Sequence, residues 1–253
     1  MEAYTSFAAV YDMYMDNIPY DTWAKNIKDL FEKYNIPMEV VCDLGCGTGQ
    51  MTRRLKAFGY DMIGIDVSCD MLTEAQATED SEGILYLCQD MRKFELYGTV
   101  GAIVSVCDSI NYLADTHELL QVCKLANTYL DPKGLFIFDI KTEHFYEELG
   151  DSTIAENRSE GSFIWENEYD SETRDNSYFL TIYAENEEGT FDRYEEEHLQ
   201  HAFTVEEIKK AIKDSGLELL DILDVATMSS PQSDSERLYF IARKESEEQQ
   251  INE

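Results

Sequence analysis

The stretch Val40-Val41-Cys42-Asp43-Leu44-Gly45-Cys46-Gly47-Thr48-Gly49-Gln50 decides the fold. Its first half is short, apolar and β-branched, its second half sets glycines at alternate positions, and Met51 to Phe58 has the spacing of an amphipathic helix. The reading is a strand, a tight turn and a helix. Glycines without Cβ let the backbone turn sharply and come close to a ligand, and the helix behind them offers unpaired N–H groups.

Outward from this unit the pattern repeats. Strands are expected at 39–44, 61–65, 84–88, 100–106 and 134–140, with helices at about 48–58, 69–79 and 115–130. Val40–Leu44, Ala102–Val106 and Leu135–Ile140 are almost wholly apolar, as strands covered on both faces must be. Repeated strand–helix–strand units predict an α/β fold with a doubly wound, mostly parallel sheet. Before it, Phe7, Val10, Tyr11 and Tyr14 make one helical stripe and Trp23, Ile27, Leu30 and Phe31 a second, capped by Asp21 or Thr22 after the break at Pro19. Residues 1–38 are thus expected to form an N-terminal helical lid.

After a short helix at 141–149, three aromatic and β-branched runs, Phe163–Tyr169, Tyr178–Ala184 and Phe191–His201, predict a small antiparallel three-stranded insertion within 160–202. Thr204 with Glu207 then opens a capped helix, Gly216 closes it, and strands at 217–226 and 236–243 return to the main sheet through a hairpin-like connection containing Pro231. The core is expected over 39–150 and 203–243, and a polar, disordered tail over 244–253.

With 52 Asp and Glu against 20 Lys and Arg, a net charge of −32 repels phosphate backbones and anionic membranes, so neither is an expected partner. The absence of a basic N-terminal region and of a long apolar run predicts a cytoplasmic protein. The six cysteines show neither a CxxC pair nor zinc spacing, which predicts reduced, mostly buried thiols and no metal site.

The turn reads G-x-G-x-G rather than the G-x-G-x-x-G of dinucleotide sites, and Asp43 stands at the mouth of its strand. A carboxylate there opposes a pyrophosphate and favours a ligand carrying an ammonium or sulfonium. Asp66 ends the second strand, placed for ribose hydroxyls, and Asp90 ends the third, placed for an adenine amine. Asp43-Leu44-Gly45-Cys46-Gly47-Thr48-Gly49, Asp66-x-Ser68-x-x-Met71-Leu72 and Gln89-Asp90 together resemble the motifs of class I S-adenosylmethionine-dependent methyltransferases. The run Cys107-Asp108-Ser109-Ile110-Asn111-Tyr112-Leu113 is similar to that of their small-molecule members. Tyr4-x-x-Phe7-Ala8-x-x-Tyr11-Asp12, Tyr20-x-x-Trp23 and His198-Leu199-Gln200-His201-Ala202-Phe203-Thr204 resemble a bacterial subgroup of unassigned substrate, with His201 where arginine is expected.

The resemblance implies a seven-stranded Rossmann-like methyltransferase fold and S-adenosylmethionine as cofactor. It implies that Gly45, Cys46 and Gly47 pass beneath the methionine part, with Gly49 serving helix packing, and that Asp43 lies near the amino group. Asp66 would hold the ribose, Val67 and Met71 would sandwich the adenine, and Gln89, Asp90 and Met91 would read its edge. Cys107 and Asp108 would line the methyl end. Candidate catalytic groups for a small-molecule nitrogen or oxygen acceptor are Tyr11, His198 and His201; alternation along a strand lets at most one of the two histidines face a cleft. A monomer or homodimer is expected. A nicotinamide-dependent oxidoreductase and a non-catalytic S-adenosylmethionine-binding protein are the alternatives.

Overall fold

The structure is a computed structural model describing residues 18–158, 161–186 and 188–246. The expected first helix with Tyr11, and residues 247–253 of the expected tail, lie outside the described residues.

Helix α1 (Tyr20–Tyr34) leads into β1 (Val40–Leu44), α2 (Gln50–Ala57), β2 (Asp61–Asp66), α3 (Cys69–Ala77), β3 (Leu85–Cys88), β4 (Val100–Ser105), α4 (Thr116–Tyr129) and β5 (Leu130–Lys141). Then follow α5 (Glu143–Leu149), β6 (Ser152–Arg158), β7 (Gly161–Asp170), β8 (Asp175–Glu185), β9 (Phe191–His201), α6 (Val205–Asp214), β10 (Leu217–Asp224) and β11 (Arg237–Lys244). The main sheet has seven strands in the order β10-β11-β5-β4-β1-β2-β3. Strands β1 to β5 run parallel, while β11 is antiparallel to both of its neighbours. The doubly wound, mostly parallel fold is as expected.

Alternation along the central strands builds the two layers. Val41, Val104, Ile137 and Ile241 pack with Trp23, Ile27 and Phe31 of α1 and with Met51 and Leu55 of α2. Cys42, Ile103, Phe136, Phe138 and Phe240 face the other way, onto Leu119, Val122 and Ala126 of α4 and Ile208 and Ile212 of α6. Burying both faces explains why these strands read as continuous apolar runs.

Local chemistry sets the ends. Thr204 and Glu207 form the expected capping box on α6. Helix α1 begins instead at Tyr20, with Pro19 at the cap position and Asp21 in the first turn, so neither Asp21 nor Thr22 caps it. Proline is suited to that boundary because its missing N–H costs no helical bond there.

The insertion differs from expectation. It is a separate sheet of four strands in the order β6-β7-β8-β9, not three. The missed strand β6 is an edge strand whose central residues are all exposed, so its sequence Ser-Thr-Ile-Ala-Glu-Asn-Arg carries no apolar alternation.

Candidate functional site

The parallel strands end in carboxylates around one cavity of about 480 Å³, within the range of small-ligand sites. Its lining includes Asp43, Gly45, Cys46, Gly47, Asp66, Val67, Met71, Gln89, Asp90, Met91 and Cys107, all expected there from the sequence.

Gly45 and Cys46 donate their N–H groups to the carbonyl of Ile65 at 2.7 and 2.9 Å, which ties the turn to the end of β2. Gly45 lies at φ +79°, and a Cβ there would meet Ser109 Oγ at 2.6 Å. Gly47, at φ +53°, has open space where a Cβ would stand, leaving a cradle above the strand end. A Cβ on Gly49 would meet Tyr86 Oη at 2.5 Å and Ala75 Cβ at 3.3 Å, in keeping with a packing role.

The acids are held as acceptors. Asp66 takes the N–H groups of Gly47 and Ser68, one on each oxygen, both at 2.8 Å. Burial pushes its carboxyl above the usual range against these bonds. Asp43 is buried and accepts the Thr52 hydroxyl at 2.5 Å. Burial pushes it up to about 7; Thr52 opposes the shift and Asp66 adds to it. Asp90 is gripped by the Arg92 guanidinium, which holds its carboxyl below the usual range. Gln89 clamps the same loop, accepting the Glu95 N–H at 2.7 Å and donating to its carbonyl at 3.2 Å.

At the end of β4, Cys107 and Asp108 both adopt left-handed backbone, φ +67° and +56°, an uncommon pair for residues with a Cβ. The turn sends the two side chains apart. Cys107 faces the cavity, 3.9 Å from the Tyr20 hydroxyl, and burial pushes its thiol up to about 12. Asp108, expected at the methyl end, instead enters a buried ion cluster with Arg237 at 2.8 Å and Lys141 at 3.1 Å, where Gln200 also donates to it at 2.8 Å. Burial opposes its charge, but the two cations hold its carboxyl down at about 2. Arg237 also pairs with Asp139, whose oxygen accepts the Asp108 N–H at 3.1 Å.

The two candidate histidines part as alternation requires. His201 lies on the outer register of β9, 2.7 Å from Asp175 and edge-on to Phe203, away from the cavity lining. His198 is buried, with Nε2 3.2 Å from Glu196 and Nδ1 3.2 Å from the hydroxyl of Tyr112, which does line the cavity. Tyr112 lies in a motif noted in the sequence, yet nothing local assigned it a role, because its partner is 86 residues away. Lys141, Asp139 and Arg237 were missed for the same reason. The expected set of reduced thiols is also corrected, since Cys69 and Cys88 form a disulfide on the cavity rim. Among the described residues no cluster of metal-ligating side chains occurs, and no helix is long and apolar enough to cross a membrane.

The Gly47 cradle, the acids and the apolar Val67 and Met71 beside them fit an adenosyl ligand with a cationic amino-acid end. Comparison with known proteins agrees. Residues 41–134 match the family described as methyltransferase domain. A Bacillus subtilis (strain 168) protein named as a methyltransferase, YqeM, is 36% identical over 245 residues, 95% of this chain and 97% of that one. The crystal structure of an S-adenosylmethionine-dependent methyltransferase from Clostridium acetobutylicum ATCC 824 is 27% identical, with a TM-score of 0.85 over 96% of this chain and 100% of that one. A dTDP-3-amino-3,4,6-trideoxy-alpha-D-glucopyranose N,N-dimethyltransferase of Streptomyces venezuelae is 31% identical over 135 residues, 52% of this chain and 56% of the relative.

Proposed function

The chain belongs to the S-adenosylmethionine-dependent methyltransferases, and from that premise we propose that it methylates a nitrogen or oxygen atom of a small molecule by in-line displacement. The cofactor, when bound, supplies a methyl group activated by its sulfonium. Gly45, Cys46 and Gly47 would support the methionine part, Asp43 its ammonium, Asp66 the ribose, Val67 and Met71 the adenine faces, and Gln89, Asp90 and Met91 the adenine edge.

One observation carries the acceptor reading. The same cavity that the three acids ring continues past Cys107 to Tyr20 and Tyr112. A continuous space of about 480 Å³ suits a small acceptor beside the cofactor, and the acidic chain disfavours polyanions. The Streptomyces relative, named for an amino-sugar substrate, supports an amine or hydroxyl on a compact polar molecule. Orientation of the acceptor lone pair supplies most of the acceleration expected for such a displacement.

A proton on the acceptor has a path out. An ionised Glu196 carboxylate accepts only, which favours the His198 tautomer with its proton on Nε2, and in that tautomer the bare Nδ1 accepts from Tyr112. The Tyr112 oxygen can then take a proton from the acceptor as its own passes to His198. His198 is therefore favoured as the base over His201. The four-stranded insertion, which supplies both Glu196 and His198 from β9, is read as the substrate-selecting cover.

The test is a screen of small amines, hydroxy acids and amino sugars for release of S-adenosylhomocysteine, with Asp66→Ala as cofactor-site control. Turnover with one of these compounds, lost in the control, supports the reading. Turnover confined to a macromolecular acceptor refutes it.

A further inference from the structure

The two walls of the adenine end of the cavity belong to different strand–loop units. One wall is Asp66-Val67-Ser68 leading into α3, with Met71 in the first turn. The other is Gln89-Asp90-Met91 after β3. Backbone ties between them are few: Gln89 N–H reaches the Asp66 carbonyl at 2.9 Å, and Asp66 stands opposite Cys88 at the last register position of the β2–β3 pair. Beyond that point the walls diverge around the cavity. The disulfide joins them there, because Cys69 is the first residue of α3 and Cys88 the last of β3. Cys69 itself lines the cavity.

The surroundings make this a reactive pair rather than a buried staple. Both cysteines are exposed, whereas Cys42, Cys46 and Cys123 are buried. Small thiols and disulfides can therefore reach either sulfur. Cys88 Sγ also lies 3.5 Å from the Val67 carbonyl, so a reduced Cys88 thiol has a backbone acceptor beside it on the opposite wall. Both redox forms are accommodated without a buried group losing its partner. What changes is the tether: oxidised, α3 is covalently fixed to β3; reduced, Val67 is held by its chain neighbours, by the Ser68 contacts to Asp66 and Met71, and by one weak S–H hydrogen bond from Cys88 to its carbonyl in place of the covalent link. Val67 is 66% exposed, so little packing restrains it once the tether is gone.

We propose that Cys69 and Cys88 form a thiol–disulfide switch that sets cofactor affinity, the disulfide holding the adenine walls at their binding separation and the dithiol releasing them. In the oxidising direction two Cys S–H bonds break and one S–S bond forms. Two electrons and two protons pass to a low-molecular-weight disulfide, which leaves as two thiols; excess thiol reverses the exchange through a mixed disulfide. Loosened walls must be re-ordered when the cofactor binds, and ordering a loop residue costs enough to change affinity by about tenfold. By linkage, a bound ligand must favour the disulfide by the same factor. The inference rests on the cofactor assignment and is independent of the acceptor.

The experiment uses the full chain and needs no acceptor. Calorimetric titration with S-adenosylhomocysteine is carried out on protein equilibrated with oxidised glutathione and on protein treated with excess reduced thiol, peptide mapping confirming the Cys69–Cys88 link. The oxidised form is expected to bind about tenfold more tightly. In a glutathione redox buffer, saturating S-adenosylhomocysteine is expected to shift the dithiol–disulfide ratio toward the disulfide by the same factor. The double variant Cys69→Ser/Cys88→Ser, which keeps Cys107 and the buried thiols, is expected to bind like the reduced protein and to ignore the oxidant. Equal or weaker binding by the oxidised form overturns the proposal. So does failure of the link to form, or an equal oxidant response in the double variant.

Discussion

The Nδ1 atom of His198 lies 3.2 Å from the hydroxyl of Tyr112, bringing a buried residue of the insertion to a residue on the cofactor cavity. In the proposed mechanism this contact would supply the cavity with a base that no single segment contains. His198→Gln is expected to lower kcat by about a hundredfold on an acceptor that must lose a proton, the scale of general base catalysis. S-adenosylmethionine affinity should stay within twofold, because His198 does not line the cavity. Tyr112→Phe should lower kcat similarly. An unchanged kcat in His198→Gln would exclude the relay.

Asp43 predicts a pH signature of the cofactor site. Its folded carboxyl sits near 7, above its ordinary value near 3.8, so the folded protein holds this proton more tightly than the unfolded chain. Its contribution to stability is full below about 3.8 and is lost as pH rises through 7. Asp43→Asn is therefore expected to stabilise the ligand-free protein more at pH 8 than at pH 5 in denaturant titrations. An ammonium beside Asp43 favours the ionised form, so wild-type affinity for S-adenosylmethionine should rise from pH 6 to 8. The variant should flatten that rise.

Gly45→Ala is expected to weaken cofactor binding by about ten- to a hundredfold. A Cβ there would stand 2.6 Å from Ser109 Oγ at a φ that L residues rarely adopt. The strain is about 1–3 kcal/mol and would be relieved only by moving the turn. Calorimetry and thermal melting together check this, and near-wild-type binding would show that the turn adapts.

Arg237→Met should be strongly destabilising, by about 3–5 kcal/mol, because it leaves Asp108 and Asp139 with one fewer buried cation. The wild-type cluster should also weaken in acid. The Asp108 carboxyl is held at about 2, below its ordinary value, so its contribution is present above about 3.8 and fades as pH falls through 2. Urea midpoints across pH for the wild type, Arg237→Met and Asp108→Asn measure both effects.

The cofactor half of the site was legible in the chain because it is local. Asp43, Gly45, Gly47, Asp66 and Asp90 sit at strand ends, and strand ends follow from apolar runs, glycines and helix starts within a few residues. Doubly covered strands announce themselves by composition, so the parallel sheet was also readable. The edge strand β6 was not, because an exposed strand has no face to alternate. Nor was the direction of Asp108, which depends on two left-handed residues and on cations from the ends of β5 and β11. The sequence by itself determined the strands, the turn and the methyl donor, since apolar runs, the glycine turn and the motifs around it are each read from a few consecutive residues. Only the tertiary structure decided that His198 rather than His201 meets Tyr112, that Asp108 leaves the cavity, and that Cys69 meets Cys88. Those pairings lie 19 to 129 residues apart. They exist because the folded sheet and its insertion bring strand ends together, which no local pattern encodes.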